Sequence, residues 1–198
     1  MSDGSEKNLA LFIDFDNVAL GARDARMRFD VRMLMQRILE KGKVVVKRAY
    51  ADWHYYKEHM VHLHEAAIEL IEVPMPKISG KNSADIRMVV DAIDLCYAKE
   101  HIDTFVVVSG DSDFTPLVSK LKENGRTVVG IGMKDSTSDL LAVNCDEFIY
   151  YEDIGTATGT GAPPIGEKVS KKKRPAFNLL FETIEALQRE NVDAIHAS

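Results

Sequence analysis

The sequence predicts an α/β protein, a three-layer α/β/α sandwich around a mostly parallel central sheet. Two observations predict it. Short apolar, β-branched runs alternate with helix-length amphipathic segments along residues 1–154, the order that parallel sheets with helices on both faces require. The first run, from Leu9, is apolar residue after residue up to its closing acid, as a strand buried on both faces is.

The elements follow in order. Leu9–Asp14 is a short apolar run that ends in acid and suits a buried strand. Asp30 is placed to cap a helix over Val31–Lys41 that Gly42 closes. Val44-Val45-Val46 leads into Ala49-Tyr50 as a second strand, Tyr55–Ala67 reads as helix and Ile68–Val73 as a third strand. After the Pro74-Met75-Pro76 break and a loop through Lys81-Asn82, Ser83 or Asn82 caps a helix over Ala84–Lys99. Thr104–Val108 is the strongest strand in the sequence; a helix over Thr115–Asn124, a strand over Thr127–Ile131, a helix from near Thr137 and a strand at Glu147–Tyr150 complete the series.

Residues 155–166 are rich in Gly, Thr and Pro without periodicity, and five cations follow between Lys168 and Arg174. Residues 155–174 therefore read as a flexible, then basic, linker. In residues 175–198, Phe177, Leu180, Phe181, Ile184 and Leu187 fall at helical spacing. One amphipathic helix cannot bury its own stripe, so this segment reads as the first element of a further module. The stripe has two candidate partners, the main domain or a second chain, and the latter would make a homodimer.

Composition excludes several classes of function. With 45% hydrophobic residues the chain is too apolar for disorder. No apolar run reaches the roughly 18 residues of a membrane span, and no signal-peptide pattern opens the chain. A formal charge of −6 argues against a protein coated in nucleic acid through a basic surface. Cys96 and Cys145 have no paired spacing, so neither a disulfide framework nor a zinc knuckle is expected. A reducing, cytoplasmic setting is the simplest expectation.

In open α/β sheets ligands sit beyond the carboxyl ends of the strands, at the topological switch point. Acids collect at such ends here. Asp14, Asp16 and Asn17 close the first strand, Ser109, Asp111 and Asp113 close the fourth, and Asp85 lies in the first turn of a helix. An isolated acid after a strand is ordinarily a turn former or cap, and Asp113 is placed to cap the helix ahead of Pro116. Two acid-rich strand ends plus a helix-start Asp are different, because clustered carboxylates cost several kcal/mol of repulsion and desolvation. A hard divalent cation removes that cost, and Mg²⁺ or Mn²⁺ leaves positions open for water and phosphate oxygens.

Leu11-Phe-Ile-Asp-Phe-Asp-Asn17, Lys81-Asn-Ser-Ala-Asp85, Val108-Ser-Gly-Asp-Ser-Asp-Phe114 and Thr137-Ser-Asp-Leu-Leu141 together resemble the successive signatures of the NYN domain, of the PIN-like nucleases. The resemblance runs from about residue 8 to 153. It implies a sandwich of helices around a parallel sheet and a metal-dependent ribonuclease site. By position, Asp14, Asp85, Asp111 and Asp113 match the family's acidic cluster and Asn17 its supporting asparagine. The C-terminal segment is similar to the start of the LOTUS (OST-HTH) RNA-binding module. On this reading Asp14 and Asp111 are direct ligands of Mg²⁺ or Mn²⁺, Asp85 approaches from the facing helix, and Asp113 is a ligand or orients water.

Other residues carry weaker signals. Arg23, Arg26 and Arg28 fall in a long loop after the first strand; with Lys81, Arg87 and Lys134 they are candidate contacts to RNA phosphates. Asp91 lies about 120° around the helix from Asp85 and pairs with Arg87 as an i,i+4 surface salt bridge. Asp16 alternates away from Asp14 if the strand continues. His59 and His62 read as a solvated helix face, and Ser136-Thr-Ser-Asp139 as a capping box. Trp53 and Tyr55 are candidates for stacking on bases or for core packing. Two further functions fit part of the pattern. One is a non-catalytic RNA-binding module on the same fold. The other is a haloacid-dehalogenase-type phosphatase, since Asp14-Phe-Asp-Asn-Val18 imitates that nucleophile motif. That class needs a separate Ser/Thr strand end, whereas Ser109 here abuts the acids themselves.

Overall fold

The computed structural model describes residues 6–74 and 83–154, all within a compact unit that ends at Gly155. Lys81, the linker over 155–174 and the segment 175–198 lie outside the described residues.

Six strands form one sheet: β1 (Asn8–Asp14), β2 (Lys43–Ala51), β3 (Glu69–Glu72), β4 (Thr104–Val108), β5 (Thr127–Gly132) and β6 (Glu147–Tyr150). Their order is β3-β2-β1-β4-β5-β6, and every neighbouring pair is parallel. Successive strands step outward from β1 in one direction through β2 and β3. The chain then crosses back to β4 and steps the other way. The switch point therefore falls between β1 and β4.

Among the described residues seven α-helices flank the sheet: α1 (Phe15–Asp24), α2 (Val31–Leu39), α3 (Lys57–Glu65), α4 (Ser83–Ala98), α5 (Thr115–Glu123), α6 (Asp139–Asn144) and α7 (Tyr151–Ile154). The period-2 alternation of β1 divides the core between the two faces. Leu9, Leu11 and Ile13 meet α1, α2, α3 and α7 through Val18, Leu34, Leu63 and Tyr151. Ala10 and Phe12 meet α4, α5 and α6 through Met88, Leu117 and Leu141. On that second face Tyr50, Phe12 and Phe105 stack in a row across three strands, with centroids 6.4 and 6.1 Å apart. Cys96 and Cys145 are free thiols buried in it.

Several sequence expectations are corrected. The segment after β1 is helix, not loop. Asp14 caps it by accepting from the Asn17 N–H, and Phe15, Val18 and Ala22 supply a buried stripe at i, i+3 and i+7. Asp16, Asn17 and Gly21 lower its local helix propensity and mask that stripe. Asp16 consequently sits in a first helical turn rather than on a continuing strand. Helix α2 stops at Leu39, two residues short of Lys41. The helix expected over Tyr55–Ala67 is split: Trp53–Tyr55 forms a 3-10 turn capped by Asp52, and α3 covers only Lys57–Glu65. Asp113 lies inside a 3-10 turn over Ser112–Phe114 and caps no helix; Asp111 caps that turn, and Phe114 precedes α5 without a side-chain cap. Ser138, not Ser136, caps α6. Trp53 is a core residue, with its indole N–H donating to the Ile71 carbonyl at 3.1 Å. Tyr55 stays exposed.

The Arg87–Asp91 pair exists at 3.1 Å, but Asp91 is only 11% exposed rather than a surface partner. It faces the sheet, where it accepts from the Tyr50 hydroxyl at 2.9 Å and lies 3.7 Å from Arg48. This network fastens α4 to β2, six residues along the helix from Asp85. Tyr50→Phe removes the hydroxyl and leaves Asp91 with two arginines, so an expected loss of about 1 kcal/mol should appear in urea denaturation.

Candidate active site

The carboxyl ends of β1 and β4 are adjacent strands' ends, so Asp14 and the Ser109–Asp113 turn face one crevice. Asp14 is 5% exposed and Ser109 fully buried. The Ser109 hydroxyl donates to Asp14 Oδ2 at 2.9 Å while its oxygen accepts the Asp111 N–H at 3.1 Å. Asp111 Oδ1 in turn accepts the Asp113 N–H at 2.9 Å. On the other side, Asp14 Oδ1 accepts the Asn17 N–H at 3.2 Å, and Asn17 Oδ1 accepts the Gly110 N–H at 2.9 Å. Two turns separated by more than ninety residues are thereby locked together through Asp14 and Asn17. Asn17 acts here as a clamp between the turns.

Gly110 is required by close approach. A Cβ at this position would lie 2.5 Å from the Ser136 carbonyl oxygen and 2.9 Å from Thr137 Cα. The Gly110 carbonyl also accepts the Ser138 N–H at 2.9 Å, which brings the loop before α6 against the site.

The acids feel one another. Burial, and next the Asp85 charge, raise the Asp14 carboxyl to about 7 despite its bonds from Ser109 and Asn17. Asp85, in the first turn of α4, is raised to about 6 by burial and by Asp111, Asp113 and Asp16. Asp16 is raised by burial and by Asp52, with the Tyr56 hydroxyl acting the other way. One Asp16 carboxylate oxygen is buried without a hydrogen-bond partner. Among the described residues no cation forms an ion pair with Asp14, Asp16, Asp85 or Asp111. Asp14, Asp16, Asp85 and Asp111 are thus mutually repelling, partly buried acids that no described cation pairs.

This chemistry fits a hard divalent cation: every donor is an oxygen, one buried oxygen is unsatisfied, and two carboxyls are held well above their ordinary range. Among the described residues no three Asp, Glu, His or Cys side chains are drawn together closely enough to hold an ion as they stand. The acids interact through charge across the crevice.

The structure thus brings Asp14, Asn17, Asp85, Asp111 and Asp113 to one place. Sequence reasoning missed the structural roles of Ser109, Tyr56 and Asp52 around them. Their signal was present only as positions next to strand ends, Ser109 after β4 and Asp52 after β2. The cations expected at RNA phosphates are dispersed. Arg23 is in the last turn of α1, 3.4 Å from Asp24, rather than in a loop. Arg26, with a left-handed φ of 54°, and Arg28 lie in the segment between α1 and α2. Arg87 is held by Asp91. Lys134 is paired with Asp153 at 2.6 Å and lies 5.9 Å from the Tyr150 ring centroid. His59 is not simply solvated: its ring packs 5.2 Å from that of Phe15.

The NYN domain family model matches residues 8–152, which spans every strand and all the acids just described. The chain belongs to the NYN domain family. That family is generally one of nucleases, PIN-like hydrolases. The NYN chain is 31% identical over 172 residues to the uncharacterized protein MJ0482 of Methanocaldococcus jannaschii, an alignment covering 87% of this chain and 64% of that protein. The chain thus spans less than two thirds of the length of this curated relative. It is also similar to a crystal structure of a protein of unknown function, VPA0982 from Vibrio parahaemolyticus. That match has a TM-score of 0.67 and 26% identity, and covers 78% of this chain and 98% of the other. Among the described residues no helix is long and apolar enough to cross a membrane.

Proposed function

We propose that this NYN domain is a metal-dependent endoribonuclease that hydrolyses RNA phosphodiester bonds at the crevice between β1 and β4. The observation that carries the reading is the convergence of Asp14, Asp85, Asp111 and Asp113 on that crevice, with the Asp14 and Asp85 carboxyls raised by burial and by their neighbours. Burying Asp14 and Asp85 beside other carboxylates is costly, and a cost retained at the strand ends where this class of fold binds ligands supports binding of a cation there.

Asp14, Asp85, Asp111 and Asp113 are the residues that would hold Mg²⁺ or Mn²⁺. Such an ion, when bound, supplies charge to polarise the phosphodiester and lowers the pKa of an attacking water. The chain's own residues do the rest. Ser109 and the Asn17 N–H fix the Asp14 carboxylate in orientation, and Asn17 Oδ1 holds the Gly110 turn so that Asp111 follows in register. Asp113, exposed at the rim, is placed to take a proton from water entering from solvent. The overall negative charge predicts weak unaided affinity for RNA. The substrate is RNA, cytoplasmic by expectation, and the basic linker and C-terminal segment are the parts proposed to add affinity.

A second reading, a non-catalytic RNA-binding module, is favoured by the lack of a ready-formed ion-holding group among the described residues. Cleavage of a fluorogenic RNA with and without Mn²⁺ separates the two. Wild type should give Mn²⁺-dependent signal and Asp111→Asn should lose at least about 100-fold. Equal signals from both proteins would favour the binder. The phosphatase order does not fit, because Ser109 is consumed in fixing Asp14.

A further inference from the structure

A cavity of about 220 Å³ opens between the start of α2 and the face of α3. Its floor is apolar, formed by Phe29 lying over the fully buried Phe15, with the two rings edge to face at 5.7 Å. Its rim carries Arg28, Arg32, His59 and His62. Asp30 also lines it, but its carboxylate is engaged in capping α2 at the Arg32 N–H. Arg32 and His62 share Glu65, at 3.2 and 3.4 Å. Arg28 makes no ion pair among the described residues, and burial, with the Arg28 charge adding to it, holds the His59 imidazole below its ordinary range, as a neutral ring at pH 7. The cavity therefore presents one guanidinium without an ion pair among the described residues, and two imidazoles that each lie beside a glutamate, His59 at 3.9 Å from Glu58 and His62 at 3.4 Å from Glu65.

Its position matters as much as its lining. Phe15 immediately follows Asp14 in the chain, so the cavity floor and the acid crevice share one turn of α1. A neighbouring groove between α1 and α3, lined by Arg23, Tyr55, Tyr56 and His59, shares His59 with the cavity. Tyr56 of that groove faces Asp16. Asp16, this groove (which Glu58 also lines) and the cavity are thus linked in series through Tyr56 and His59. A polyanion approaching the acids is repelled wherever an ion does not screen them, so its adjacent phosphates need positive charge nearby.

We propose that this cavity is a phosphate-binding subsite for a nucleotide chain, with Arg28 as its charged anchor and His59 and His62 as supporting donors. That the chain is the RNA cut at the acids rests on the ribonuclease reading; the subsite itself does not. An arginine fork matches phosphate oxygens, and the apolar floor accepts the sugar or a base edge.

The test follows the imidazole proton signals of His59 and His62 by NMR, assigned with His59→Gln and His62→Gln, in the full chain. Uridine 5′-monophosphate should move both signals saturably, and uridine should move neither. Arg28→Glu, checked for an unchanged melting temperature, should weaken the nucleotide at least tenfold; if Glu perturbs folding, Arg28→Gln should still weaken it. In cleavage assays Arg28→Glu should raise KM with little change in kcat. Absence of any shift with the nucleotide, or equal shifts with uridine, would overturn the subsite. Nucleotide-dependent shifts in a wild type that cuts no RNA would sustain the subsite and defeat the ribonuclease reading. Cleavage without any such shift would do the reverse.

Discussion

Asp14→Asn is expected to abolish Mn²⁺-dependent RNA cleavage while making the metal-free protein more stable. Both halves have one cause. The Asp14 carboxyl is raised from 3.8 to about 7, first by burial and then by Asp85. The folded state therefore binds this proton more tightly than the unfolded chain. Stability contributed here is greatest below pH 4, falls as pH rises towards 7, and levels off above it. Asn carries no charge to bury and keeps an acceptor for the Asn17 N–H, and it is itself a good N-cap. At pH 8 the gain should be about 2–4 kcal/mol. The fall in stability between pH 4 and 7 should flatten, leaving the part due to Asp85 and Asp16. Melting curves across this range check the sign. Mn²⁺ should raise the melting temperature of wild type at pH 8 and leave Asp14→Asn nearly unmoved. A variant less stable than wild type at pH 8 would show that Asp14 is paired rather than strained.

The largest loss of stability is expected from Phe15→Ala. Phe15 is fully buried and its ring meets those of Phe29, Trp53, Tyr56 and His59, three of them at 5.2 Å and Phe29 at 5.7 Å. Removing it opens a void where α1, α2, α3 and the turn after β2 converge, at a cost of about 3–5 kcal/mol. Thermal or urea unfolding measures this directly. Because Phe15 lies between Asp14 and Asp16, activity should also fall below the unfolding transition. Phe15→Leu, which refills most of the space, should recover both. A cost under 1 kcal/mol for Phe15→Ala would mean that the surrounding rings collapse freely and that Asp14 is held by its hydrogen bonds alone.

These expectations show which parts of the molecule the sequence makes legible. β4 begins and ends where its run of residues does, because all five of its residues are buried on a strand enclosed on both faces. The edge strand β6 also keeps the expected limits, although only Ile149 of it is buried. Helix α1 is hidden because its cap and first turn carry Asp14, Asp16 and Asn17, and those residues resemble a strand end passing into a loop. The polar residues of the proposed site thus overwrite the local signal for helix. The acids themselves are readable as residues near strand ends. Their cooperation is not: Ser109 reaches Asp14, and Asn17 reaches Gly110, across more than ninety residues. Only the register that places β1 beside β4 brings those pairs together. Asp91 is the reverse case. Its i,i+4 spacing to Arg87 is visible, but Tyr50 draws it towards the sheet, and no helical pattern encodes that.

The ribonuclease reading rests on the acids of β1, β4 and α4 acting together with a divalent ion. The most direct measurement is single-turnover cleavage of an end-labelled RNA by protein stripped with EDTA, followed by addition of Mn²⁺. The account predicts no cleavage in EDTA, return of cleavage on adding Mn²⁺, and no return with Asp14→Asn. RNA that is bound but uncut at every Mn²⁺ concentration, or cut equally well in EDTA, would contradict it.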